Sequence, residues 1–240
     1  MSDFQTIKEI IKNANSVVFF GGAGVSTESG IPDFRGTGGL YTEENETDPQ
    51  EILTPEYMLY KPEEFYNYYK NSMLYPNAQP NDAHMVLSKM EKDGKLSAVI
   101  TQNIDGLHQK AGSKNVIELH GTSLNNYCVN CGKTYDLNYI LESDGVPYCD
   151  KCHGFVRPDV VMYREGLNTR KFYEAEEAIY YADVLIVGGT SLTVQPAASL
   201  IDSYQGDHLI IINKTPTPYD GVAEFVFRDS ISEVLSKIYD

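Results

Sequence analysis

The sequence predicts an α/β protein: a doubly wound parallel sheet with a smaller second lobe. Three observations carry this. Short β-branched apolar runs recur along the 240 residues and alternate with helical patterns. The runs are near-continuous rather than alternating, as strands buried on both faces are. Two segments, 36–80 and 122–158, break the rhythm and read as insertions that together form the smaller lobe.

Taken in order, Phe4, Ile7, Ile10, Ile11 and Ala14 share one face of an opening helix. The first strand run is SVVFF (16–20), followed by the glycine loop GGAG. Residues 36–80 are rich in Tyr, Pro and acids and predict a long loop with a few helices, PEEFYNYYKNSM being the clearest. Asn81 or Asp82 caps a helix that carries Ala83, Val86, Leu87 and Met90. The runs SAVIT (97–101) and VIEL (116–119) follow. A helix from near Thr169 closes at Tyr181 and leads to VLIVGG (184–189). Pro196 opens another helix before LIII (209–212) and EFVF (224–227). Ser230 and Glu233 form a capping box ahead of Val234, Leu235 and Ile238. The expected division is 1–35, 81–121 and 159–240 for the main domain, 36–80 for a helical insertion and 122–158 for a cysteine module.

Composition excludes some functions. The net charge is -15 with no basic cluster, so direct nucleic-acid binding is not expected. No apolar run approaches the ~18 residues of a membrane span. The opening MSDFQTIKEIIKNANS lacks the basic flank and apolar block of an export signal, and the expectation is a cytoplasmic protein.

The cysteines are spaced Cys128-x-x-Cys131 and Cys149-x-x-Cys152. Two such knuckles supply four thiolates, the donor set of a closed tetrahedral zinc site. The segment between them has no apolar strand run to build a core and needs such a staple. Two disulfides require an oxidising compartment, which nothing here indicates. A redox pair would open a helix after a strand, and neither pair does. CDKCH (149–153) fits haem attachment in form, but that requires export and leaves the first pair unexplained.

The unusual polar residues come directly after the strand runs: GGAG after the first, QNIDGLH after Thr101, HG after VIEL, GTSL after LIV and NKT after LIII. In a doubly wound sheet ligands bind outside the carboxyl ends of the strands, so these loops should converge on one cleft. Gly22 and Gly24 would let backbone approach a pyrophosphate at the next helix N-terminus. Thr27 stands where a dehydrogenase fingerprint has its third glycine, and Glu43, Glu44 and Glu46 lie in a polar loop rather than at a second strand end. Hydride transfer is therefore disfavoured. His120 directly ends a strand run and can serve as a general base. His84, His108, His153 and His208 read as structural or solvated, and Asn103 and Asp105 are candidates to fix their own loop.

GAGVSTESGIPDFRG, TQNIDGLHQKAG, ELHG, the twin CxxC, RPDVV and GTSLTVQPA together resemble the sirtuins, NAD-dependent protein-lysine deacylases, over nearly the whole chain. The resemblance implies a Rossmann-like domain, NAD consumed as co-substrate, one structural zinc per chain and acetyl-lysine proteins or peptides as partners. Ala23, Ser26 and Thr27 would meet the NAD phosphates and ribose, and Phe34 and Arg35 would lie in the loop closing over the ribose. Gln102 and His120 would contact the nicotinamide ribose, with Asn103 placing the ribose or a water. Ile104 and Asp105 would hold the carboxamide. Gly189, Thr190, Ser191, Asn213 and Lys214 would contact the adenosine half, with Asp229 or Ser230 near the adenine. VVMYREG (160–166) would be a strand pairing with substrate backbone, Val161 and Tyr163 lining the acyl-lysine tunnel and Val194 flanking its other side.

The chain departs from the family pattern in three places. Gly22 replaces a common threonine. MYREG replaces an aromatic-Gly-Glu, which bears on peptide preference. FYNYYKNSM (65–73) offers Lys70 but no arginine at the Tyr-x-x-Arg spacing used for acidic acyl groups, so small or apolar acyl groups are expected.

Overall fold

The computed structural model describes residues 2–34, 39 and 47–239. Helix α1 (Asp3–Asn13) leads into β1 (Val17–Gly21). Short helices α2 (Pro49–Ile52), α3 (Pro55–Tyr60) and α4 (Pro62–Tyr68) follow, the last continued by a π-turn over Tyr69–Met73. Then come α5 (Asp82–Lys92), β2 (Leu96–Thr101), α6 (Leu107–Ala111) and β3 (Val116–Glu118). The next elements are β4 (Gly121–Cys128), β5 (Thr134–Asp136), α7 (Leu137–Glu142) and β6 (Val156–Val160). The chain closes with α8 (Thr169–Tyr180), β7 (Val184–Gly188), a 3-10 helix over Ala197–Ser203, β8 (His208–Ile212), β9 (Phe225–Phe227) and α9 (Ile231–Ile238).

Six strands form one sheet in the order β3-β2-β1-β7-β8-β9, every pairing parallel. Alternation along β1 explains why it reads as continuously apolar. Val17 and Phe19 face a layer with Ile7 and Ile11 of α1, Leu87 and Met90 of α5 and Leu235 of α9. Val18 and Phe20 face the opposite layer, with Ala175 and Ile179 of α8 and Leu200 and Ile201 of the 3-10 helix. Each fully buried Val, Ile or Phe contributes about 1.5–3 kcal/mol relative to exposure.

The structure differs from expectation in the smaller lobe and at three junctions. The cysteine module has strands of its own: β4 pairs antiparallel with β5 and β6. GTSLNNYC is polar at most positions, with Thr122, Ser123 and Asn126 buried and Leu124 exposed, so it lacks the apolar run that marks the parallel strands. Two 3-10 turns, Ala23–Val25 and Thr27–Ser29, follow β1 in place of an α-helix, so no long helix presents its N-terminus there. Pro196 opens a 3-10 rather than an α-helix. β6 stops at Val160; the Val161 N–H still donates to His120 O (2.9 Å), and the Tyr163 N–H then turns to Leu53 O (3.0 Å). VVMYREG is therefore mostly a loop tied to two other segments.

The insertion and the cysteine module share one core, in which Phe65, Tyr66 and Tyr69 pack with Cys128, Ile140, Cys149 and Val156. The Tyr66 hydroxyl donates to Val156 O at 2.7 Å.

Candidate active site

β1 and β7 lie side by side at the point where the strand order reverses, and their carboxyl ends are Gly21 and Gly188. The loops beyond them touch backbone to backbone. The Gly24 N–H donates to Gly189 O at 2.8 Å, and a Cβ at Gly24 would stand 2.7 Å from Gly189 Cα. Gly189 itself has φ +60 and would place a Cβ 2.4 Å from Val25 N. These glycines are demanded by loop-to-loop contact.

Above them opens a cleft of about 1270 Å³, between the sheet and the smaller lobe. Ala23, Ser26, Thr27, Phe34, Gln102, Asn103, Ile104, Asp105 and His120 line it, as do Gly189, Thr190, Ser191, Asn213, Lys214 and Asp229. Val161, Tyr163 and Val194 line it too. Ser230 caps α9 instead, and its hydroxyl donates to the Glu28 carboxylate. Arg35 lies outside the described residues. Sequence reasoning passed over Glu28, Leu53, Tyr69, Met73 and Arg164, which also line the cleft. Glu28 sits inside the quoted TES and could have been found there. Tyr69, Met73 and Arg164 lie inside the quoted FYNYYKNSM and VVMYREG without having been given a role, and Leu53 carries no motif.

The loop after β2 is fixed from both sides. The Ser26 hydroxyl donates to Asp105 Oδ2 at 2.6 Å and accepts from Asn103 Nδ2 at 3.1 Å. Asp105 Oδ1 accepts the Leu107 N–H at 2.9 Å, and Ile104 O accepts from both the N–H (2.9 Å) and the hydroxyl (2.8 Å) of Ser123. Gln102 Nε2 donates to Thr190 Oγ1 at 3.0 Å, bridging the β2 and β7 loops.

His120 Nδ1 lies 2.9 Å from Gln102 O. A carbonyl only accepts, so Nδ1 carries the proton and Nε2 keeps its lone pair. Burial lowers the His120 pKa below its usual 6.5, against a smaller opposing effect of that hydrogen bond. The imidazole is therefore neutral at pH 7, as a base must be. His84 and His108 are buried behind this loop with ring centroids 4.7 Å apart. Burial pushes both well down, His108 to about 3. They are structural, as expected. His208 pairs with Glu224 at the edge of the sheet.

The four cysteine sulfurs lie within 4.8 Å of one another, with Cys128 Sγ 3.4 Å from Cys152 Sγ and Cys131 Sγ 3.6 Å from Cys149 Sγ. None is in a disulfide. A tetrahedral zinc with Zn–S of ~2.3 Å spaces its sulfurs by roughly 3.8 Å, so this donor set fits a structural zinc ion. No cysteine is among the described residues lining the cleft.

A model of the Sir2 family matches residues 22–196. The NAD-dependent protein deacetylase of Clostridium perfringens is 56% identical over 237 residues, covering 98% of this chain and 97% of its own. That of Clostridium tetani is 53% identical over 243 residues, covering 100% and 98%. Among solved structures, a Sir2 protein with a deacetylated p53 peptide and 3'-O-acetyl ADP ribose superposes with TM-score 0.90 at 39% identity, covering 99% of this chain and 97% of that one. A Sir2 complex with p53 peptide and NAD+ gives 0.87 at 39% identity with the same coverage. The cleft at the strand-order switch, the cysteine lobe beside it and these likenesses along the whole chain agree: the chain belongs to the Sir2 family.

Proposed function

We propose that this chain is an NAD-dependent protein-lysine deacetylase. It consumes NAD, transfers the acetyl group to ADP-ribose, and releases nicotinamide and unmodified lysine. The observation that supports this most directly is His120, its Nε2 lone pair left available by the Nδ1 bond to Gln102, in one cleft with the Ser26–Asp105–Asn103 network.

NAD supplies a cationic nicotinamide leaving group, which departs neutral, so no general acid is required. Ala23, Ser26 and Thr27 meet its phosphates and ribose. Gly189, Thr190, Ser191, Asn213, Lys214 and Asp229 hold the adenosine half. Ser230 acts there only through Glu28. Ile104 and Asp105 hold the carboxamide, Asp105 being oriented by Ser26 and the Leu107 N–H. Phe34 covers the ribose and keeps water from the reacting carbon.

The acetyl-lysine side chain enters past Val161, Tyr163 and Val194 and presents its amide oxygen to that carbon. His120 Nε2 then removes a proton from the ribose hydroxyls, with Asn103 placing the ribose or a water. Cys128, Cys131, Cys149 and Cys152 would hold a structural zinc through four thiolates, which would leave no place for substrate and would staple the lobe. Acetylated proteins or peptides are the partners, in the cytoplasm, where the thiols stay reduced. Neither nucleic acid nor membrane is part of this reading.

Mass spectrometry of an acetyl-lysine peptide incubated with the protein, with and without NAD, tests it. Loss of acetyl only with NAD, with nicotinamide and acetyl-ADP-ribose formed, is expected. A peptide that keeps its acetyl and gains ADP-ribose would replace deacetylation by ADP-ribosyl transfer.

A further inference from the structure

The wall of the cleft formed by the smaller lobe ends in a tight turn. The Glu165 N–H donates to Met162 O at 3.1 Å, which places Arg164 at the third position of a four-residue turn. Arg164 has φ +71, in the left-handed region that glycine or asparagine normally supplies. The turn holds it there. The Glu165 carboxylate accepts two bonds from the Arg157 guanidinium, both 2.8 Å, and one from the Met162 N–H at 2.9 Å. Arg157 Nη2 also donates to Val160 O at 3.0 Å. Backbone at both ends of the turn is thus fixed by one half-buried ion pair, and a strained conformation persists where its surroundings over-determine it.

The side chain carried at this strained position is exposed and lines the cleft. Among the described residues its guanidinium has no hydrogen-bond or ion-pair partner. Of the other cations lining the cleft, Lys110 donates to Ala78 O, and Lys214 lies in the field of Glu28. Three of the acids lining the cleft are engaged, Glu165 by Arg157, Asp105 by Ser26 and Glu28 by Ser230. Among the described residues, Arg164 thus presents an unpaired positive charge one residue from Tyr163, on a chain whose net charge is -15. That overall charge disfavours acidic peptides at long range. A single cation counteracts it only within the ~8 Å over which charges act at physiological salt.

We propose that Arg164 is a specificity-determining residue, selecting acyl-lysine peptides that carry an aspartate or glutamate beside the modified lysine. The proposal rests on the deacetylase reading, which puts the acyl-lysine past Val161 and Tyr163. An exposed guanidinium–carboxylate contact at the rim is a modest interaction, so the preference is graded.

The test uses three acetyl-lysine peptides identical except for Asp, Gln or Lys beside the acetyl-lysine. Each is assayed at low and high salt with the wild type, Arg164→Ala, Arg164→Lys and Arg164→Gly. The expected kcat/KM of the wild type favours the Asp peptide over the Gln peptide by about threefold, carried by peptide KM and reduced by salt. Arg164→Lys keeps the preference, while Arg164→Ala and Arg164→Gly lose it. KM for NAD stays constant throughout, and Arg164→Gly melts at or above the wild-type temperature. An unchanged Asp-over-Gln ratio in Arg164→Ala overturns the proposal, as does a rise in KM for NAD equal to that for peptide. A wild type that deacetylates none of the three overturns the deacetylase reading itself, and the proposal with it.

Discussion

The parallel sheet and the cysteine lobe face each other across one cleft, yet they stay folded for different reasons. In the sheet, stability is spread over two apolar layers, so no single side chain decides it. In the lobe, an aromatic core packs against Cys128 and Cys149 while Cys131 and Cys152 stay exposed, and the residues between the two cysteine pairs form only a short strand and a short helix. One region distributes its stabilisation and the other concentrates it. The sheet is vulnerable to many small losses, the lobe to one loss at the sulfurs.

The largest effect expected from a single change is therefore in the lobe. Structural zinc contributes on the order of 10 kcal/mol in isolated zinc modules. Cys128→Ala should abolish zinc binding, read by metal analysis, and give a separate low-temperature transition for the lobe while the sheet still melts cooperatively. Unchanged melting with zinc retained would break the comparison.

His120→Ala probes the cleft and not either core. Turnover should fall by about 10²–10⁴, the usual contribution of a general base, with zinc content and melting temperature unchanged. Equal activity would remove His120 from its role.

A further effect, set by acid rather than by substitution, concerns the sheet side. His84 and His108 have native pKa values well below 6.5, through burial. Below pH 6.5 the unfolded chain takes up protons there that the native protein does not. Stability is therefore complete above pH 6.5 and falls as pH drops toward about 3, by roughly 1.4 kcal/mol per pH unit for each histidine at most. Urea midpoints against pH should be less steep for His108→Gln than for the wild type. Parallel curves would mean that the pair is not the acid-sensitive element.

How much of this was legible follows the same divide. Each of the six apolar runs is a strand of the parallel sheet, with ends within one residue, because burial on both faces writes itself into consecutive residues. The cleft was legible through strand ends, and the cysteine spacing through ligand chemistry. The strands β4, β5 and β6 were not, since a small antiparallel sheet with polar faces leaves no apolar run. Nor were the turn at Arg164 and its clamp, which depend on Arg157 reaching across eight positions to Glu165. Gly22 and Gly24 were read as making room for a ligand, whereas their own neighbours Thr190 and Gly189 fill that space.

The hydrogen bond from Tyr66 to Val156 also sets a schedule for synthesis. The two residues are 90 positions apart, so a ribosome adding about 5–20 residues per second makes Val156 roughly 5–18 s after Tyr66. Phe65, Tyr66 and Tyr69 leave the ribosome long before either cysteine pair exists to cover them. During translation the lobe is an unfinished aromatic surface, and a cell short of zinc when the second pair emerges would find it still exposed.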